Sequence, residues 1–144
     1  MNTLVGVIQA EVEALPALDL SEELIELDGQ AYRHHPYGGG LVAVTAFAAP
    51  EALICRDAIV KDFAVVVGSV RLFNHARVEE HAVVGDRCTL RDNAVVAGQA
   101  ILRGSVLMTG QAYVGGSACI NGAVKLQYFA RITEGDLRGN QTIW

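Results

Sequence analysis

The sequence predicts an all-β fold, a solenoid of short parallel strands with a period of six residues. Three observations carry this. From Ala46 onward every sixth residue is small, running through Ala52, Ala58, Ala64, Val70, Ala76, Ala82 and Cys88 to Val124 and Ala130. Two places after each stands an apolar residue, from Ala48 and Ile54 through Leu72, Val78 and Leu90 to Leu126 and Ile132. The fourth place after the small residue is rich in types that accept turn geometry: Gly68, Asn74, Asp86, Asp92, Gly98, Gly104, Gly110, Gly116 and Gly122. A small inward side chain, an outward one, a large inward one and a corner together make one short strand and its turn.

The elements follow in chain order. VIQAEVEAL has weak helical periodicity. LIELDGQAYR places an Asp-Gly pair between two short apolar runs and predicts a hairpin. AYRHHPYGGGLV leads into the repeat; its three glycines, Gly38 to Gly40, predict a flexible joint, because no Lys-Ser pair or helix start follows to make a phosphate loop. Alternation aims His34 and His35 apart, and both are expected to be exposed. These boundaries give an N-terminal extension over 1–44, a repeat region over 45–134 and a C-terminal cap over 135–144. Trp144 falls in phase with the large inward positions and is expected to close the last coil.

The repeat over 46–134 resembles the hexapeptide repeat of the left-handed parallel β-helix, in which three hexads make a triangular coil of eighteen residues. The resemblance implies about five coils and the left hand, which runs against the usual right-handed crossover. It also implies vertical columns, such as Ile54, Leu72, Leu90, Met108 and Leu126, or Val60, Val78, Val96, Val114 and Ile132. The ends of such a prism are open strand edges that need covering.

Bulk properties bound the function. The 144 residues suit one domain, and a 51% hydrophobic, 19% charged composition suits a packed globular chain. No apolar run of eighteen residues occurs, and MNTLVGVIQA lacks the basic start of a secretory signal, so a cytoplasmic protein without a membrane partner is expected. Of the net charge of −5, residues 1–45 hold seven acids and one base, and no basic stripe suits duplex nucleic acid. Small anions remain candidates. Cys55, Cys88 and Cys119 are odd in number and far apart, which indicates neither disulfides nor a zinc knuckle.

His75 and His81 head adjacent hexads, so they stand up to about 20 Å apart at about 3.3 Å per residue, too far to share a metal. The chain also lacks the five-residue histidine pair and the earlier third histidine of the γ-class carbonic anhydrases. Stacking at eighteen residues instead sets His75 in a polar edge of Asp57, His75, Asn93 and Gln111. That edge is either an ordinary solvated corner or, with Asp57 orienting His75, a general base. His81 stacks between Phe63 and Gln99.

The outward positions separate three faces. The first carries Phe47, Val65, Val83, Ile101 and Cys119, an apolar stripe that marks an interface. Related β-helix proteins are commonly trimers, so the stripe is expected to build a homotrimer, with cover by residues 1–40 as the competing account. The second face gathers Arg71, Phe73, Thr89 and Arg91, which suit a planar or phosphorylated anion; the competing account pairs the arginines with Glu79, Asp86 or Asp92. On the third face Arg77, Tyr113 and Arg131 are spread over several coils.

The resemblance implies a CoA-dependent acyltransferase in which His75, with Asp57, deprotonates an acceptor and acyl-CoA lies between subunits. Yet no inserted loop interrupts the coils to wall such a site. The lead-in AYRHHPYGGGLV resembles that of small hexapeptide-repeat proteins without assigned catalysis, some of them phage-borne. The reading preferred from sequence is therefore a non-catalytic trimer, without cofactor, that binds a small anionic ligand or a protein partner. Acyl transfer is second, and a purely structural trimerisation module third.

Overall fold

The Asp28-Gly29 pair sits at φ of 50° and 79°, the left-handed conformation at both central residues that a two-residue hairpin turn requires. The strands Ile25–Leu27 and Gln30–His34 accordingly pair antiparallel on either side of it. This is the start of the structure, a computed structural model that describes residues 24–144; the VIQAEVEAL segment lies outside the described residues. Among the described residues the fold is all-β, a parallel solenoid of about six turns.

Two-residue strands recur every six residues, and each pairs in parallel with the strand eighteen residues away: Arg71 with Thr89, Arg77 with Val95, Val83 with Ile101. Three strands thus make one turn, with the chain advancing one sheet spacing per turn. Outward amides donate up the stack, Phe47 to the Ala64 carbonyl at 3.0 Å and Val65 to the Ala82 carbonyl at 3.0 Å. Val78 and Val96 are vertical neighbours, as are Leu72 and Leu90, and all four are fully buried. Each such side chain contributes about 1.5–3 kcal/mol. The core is one continuous column of alternating small and large residues from Val42 to Ala130.

At the corners the backbone must turn without losing hydrogen bonds. Asp62, Asn74, Glu80, Asp86 and Asp92 all adopt φ between 56° and 62° at the fourth place of their hexads. Their side chains do a second job. Each accepts from the amide eighteen residues on: Glu80 N donates to Asp62 Oδ2 at 2.9 Å, Asp92 N to Asn74 Oδ1 at 3.1 Å, Gly104 N to Asp86 Oδ2 at 2.9 Å and Gly110 N to Asp92 Oδ2 at 2.9 Å. Acids at this place therefore both tolerate the turn and cap the next layer.

The N-terminal end is covered by the hairpin. Its second strand pairs antiparallel with Leu41–Ala43, which in turn pairs in parallel with Ile59–Val60, so the hairpin extends the third face. The Gln30 amide nitrogen donates to Asp62 Oδ1 at 2.7 Å and tethers the hairpin to the first corner. Burial works to raise the Asp62 pKa, but the Glu80 amide, the Gln30 amide and the Lys61 and His81 charges together hold it below the ordinary 3.8. A depressed carboxyl adds stability above its ordinary range, and that stability disappears as pH falls through the folded value. In thermal melts the difference between the protein and an Asp62→Asn variant is accordingly expected to shrink as pH falls through and below the ordinary carboxylate range; a constant difference would mean that the carboxylate charge contributes nothing.

Two expectations at this end are corrected. Gly38 to Gly40 is no flexible joint: the Gly39 amide donates to the His35 carbonyl at 2.9 Å and the Gly40 amide to the Ile54 carbonyl at 2.8 Å. A Cβ at Gly38 or Gly40 would run into the Ile54 backbone or side chain, so glycine here is a packing requirement. His35 is buried, at 6% exposure, with Nε2 donating to the Ala52 carbonyl at 2.8 Å, while His34 stays exposed.

The C-terminal end corrects a third. Residues Asp136–Ile143 form a strand that adds another layer, paired with Cys119–Leu126 at seventeen residues instead of eighteen, Ile120 with Leu137 and Leu126 with Ile143. An unbroken phase would point Arg138 and Trp144 inward. One residue fewer in the corner before Asp136 turns them out and brings Leu137 and Ile143 onto the core, because a buried unpaired guanidinium is prohibitive. Trp144 is left 73% exposed.

Candidate functional site

On the second face Arg71 pairs in register with Thr89, between Leu53 below and Leu107 above. Arg91 follows two residues after Thr89, so the Arg71 and Arg91 Cα atoms lie on a diagonal of about 8 Å. Phe73 and Thr89 are half-buried between these two exposed guanidinium groups. The short strands fix this spacing, since the Phe73 amide donates to the Leu90 carbonyl at 2.8 Å and the Arg91 amide to the Met108 carbonyl at 2.9 Å.

The neighbouring acids are already engaged. Glu79 pairs with Arg77 at 3.4 Å, Asp86 with Arg103 at 3.6 Å, and Asp92 caps Gly110. Among the described residues neither Arg71 nor Arg91 forms an ion pair. The pairing with Glu79, Asp86 or Asp92 weighed from the sequence does not occur. Two unneutralised guanidiniums beside a ring and a hydroxyl can hold a phosphate or carboxylate by charge-assisted hydrogen bonds.

Around the corner from this patch Asp57, His75, Arg77, Asn93 and Val95 line an open groove of about 530 Å³. The polar edge read from the sequence is therefore assembled, apart from Gln111, which lies outside the groove lining. Asp57 and His75 share the groove without a hydrogen bond between them. At the next corner the Phe63 and His81 rings stack at 5.2 Å and 9°, as the spacing implies. No group of three His, Cys, Asp or Glu residues suited to a metal occurs among the described residues.

The apolar stripe is one register column, Phe47, Val65, Val83, Ile101 and Cys119. Phe47 is 52% and Ile101 37% exposed. Of the described N-terminal residues, the hairpin strands extend the third face, residues 37–40 run against Leu53–Cys55 of the second, and residues 33–36 meet the stripe only at Phe47; residues 1–23 lie outside the described residues. Sequence reasoning missed one contact on the third face, where the Arg131 guanidinium lies 4.3 Å over the Tyr113 ring. The eighteen-residue spacing of Tyr113 and Arg131 carried that signal. Among the described residues no helix is long and apolar enough to cross a membrane. The chain matches no protein-family model, no curated protein and no solved structure.

Proposed function

We propose that the protein is a non-catalytic homotrimeric β-helix of the hexapeptide-repeat type, wound left-handed, whose second face binds a small phosphorylated, nucleotide-like anion. The observation that carries this reading is the pair Arg71 and Arg91, held on one sheet face beside Phe73 and Thr89 with no acidic partner among the described residues. Arg77, Arg103 and Arg138, by contrast, pair with Glu79, Asp86 and Asp136. The guanidiniums take the phosphates, the Thr89 hydroxyl donates one more hydrogen bond, and Phe73 offers a face for a base. No step of bond making is part of this role.

Calorimetric titration with ADP tests it, the wild-type protein giving a saturable isotherm and the Arg71→Ala/Arg91→Ala variant none. Absence of saturable binding to the wild type would leave a structural trimerisation module. The trimer rests on the first-face column, whose continuity exceeds what isolated surface residues present. Sedimentation should give a trimer at micromolar concentration, and a monomer there removes the assembly.

Thiol labelling reads the same face. Burial pushes the Cys88 thiol up to about 11, so it stays protonated and silent in the native protein. Cys55 is half-exposed and reacts. Cys119, equally half-exposed in one chain, reacts only once the trimer has dissociated. Equal rates for Cys55 and Cys119 in the native assembly would count against burial of the first face.

A further inference from the structure

The hairpin, its packed turn and the first coil enclose a second concavity, of about 260 Å³, at the N-terminal end of the prism. Its walls are largely apolar, with Phe47, Pro36 and Pro50 among small aliphatic side chains, and the exposed Arg33 and His34 contribute to its lining. One buried polar side chain belongs to it: His35, only 6% exposed.

The hydrogen bonding of that ring is half complete. Nε2 lies 2.8 Å from the Ala52 carbonyl, which can only accept, so the proton is on Nε2. In the neutral ring Nδ1 then carries a lone pair, and among the described residues nothing donates to it. The ring cannot turn to improve this, because the His35 amide donates to the Gly40 carbonyl at 2.7 Å and flipping the imidazole would break the bond to Ala52. A buried acceptor without a donor is destabilising, and a donor from outside the chain removes that cost.

We infer that this concavity is a binding site for a small hydroxyaromatic molecule of the phenol class, whose hydroxyl donates to His35 Nδ1 while its ring packs against Phe47 and the prolines. The chemistry selects that class on three counts. A lone-pair acceptor calls for an O–H or N–H donor and gives nothing to an anion. Flat proline and phenylalanine walls suit a planar ring. The volume accommodates a single-ring molecule with space to spare. The site is separate from the Arg71 and Arg91 patch, with which it shares no residue, and it stands whether or not that patch binds an anion.

The test uses the full chain at a pH above the ordinary histidine range, with phenol and toluene as matched probes. Phenol should bind saturably, with Kd on the order of millimolar for a ligand of its size, and should move the ¹⁵N resonance of His35 Nδ1. Toluene, of the same shape without a donor, should bind about tenfold or more weakly, the loss of one hydrogen bond to a buried acceptor. Pro50→Ala changes an exposed corner residue outside the first-face column and should weaken phenol. Equal binding of phenol and toluene, an unmoved Nδ1 resonance, or phenol binding unaffected by Pro50→Ala would each overturn the inference, as would no saturation by about 20 mM, well past the millimolar Kd expected for a ligand of this size.

Discussion

Leu90→Ala should lower the unfolding free energy by about 2–5 kcal/mol, the range for a buried leucine whose surroundings cannot close the space left behind. Leu90 is fully buried, with Leu72 directly below and Met108 directly above. Collapse onto the vacated volume would require neighbouring turns to approach one another or the strand to move inward. Backbone ladders prevent both: the Phe73 amide is held to the Leu90 carbonyl at 2.8 Å, and the Arg91 amide to the Met108 carbonyl at 2.9 Å. For a domain of this size the loss corresponds to a fall in Tm of about 8–20 °C. Because Leu72 and Leu90 touch across one layer, the double alanine variant should depart from additivity by about 0.5 kcal/mol or more. Denaturant unfolding measures both quantities. A single-variant cost under about 1 kcal/mol, far below the range for a rigid leucine site, would show that the column is loosely packed.

The second large effect is on binding. Each charge-assisted hydrogen bond is worth about 1.5–3 kcal/mol, so Arg71→Ala and Arg91→Ala should each weaken ADP about tenfold to a hundredfold, and the pair beyond detection. Lysine at either place keeps the charge and loses the two-pronged geometry, and should recover only part of the affinity. Lys125 lies on the same face, three turns past Arg71 in the register column, so Lys125→Ala is the matched control and should leave binding nearly unchanged. All of these side chains are exposed, so melting temperatures should stay within the narrow range of ordinary surface changes. Affinity should also fall with added salt, since the site is open to solvent and its charges are screened. An Arg71→Ala/Arg91→Ala protein that binds ADP as the wild type does would move the site elsewhere.

Much of the site was legible because a six-residue period is a one-dimensional signal with a three-dimensional meaning. Once residues eighteen apart are neighbours, Arg71, Thr89 and Arg91 share a face and His81 must meet Phe63, and the structure has both. The period does not state which acid a given arginine chooses. Glu79 and Asp86 were open to Arg71 or Arg91 on spacing alone, and the structure gives them to Arg77 and Arg103. Each acid pairs with an arginine on its own side of the prism, Glu79 with Arg77 two residues before it and Asp86 with Arg103 in the next layer.

The sequence by itself determined the solenoid, its register, its inward columns and the Asp28-Gly29 hairpin, because each depends on a local pattern repeated until no other packing satisfies it. Only the tertiary structure decided the capping of corner amides by acids and Asn74 one turn below, the burial of His35 behind a packed glycine turn, and the one-residue contraction that turns Arg138 and Trp144 outward. Those features satisfy particular donors, acceptors and charges against groups distant in the chain. Such partners exist only after the coils have stacked.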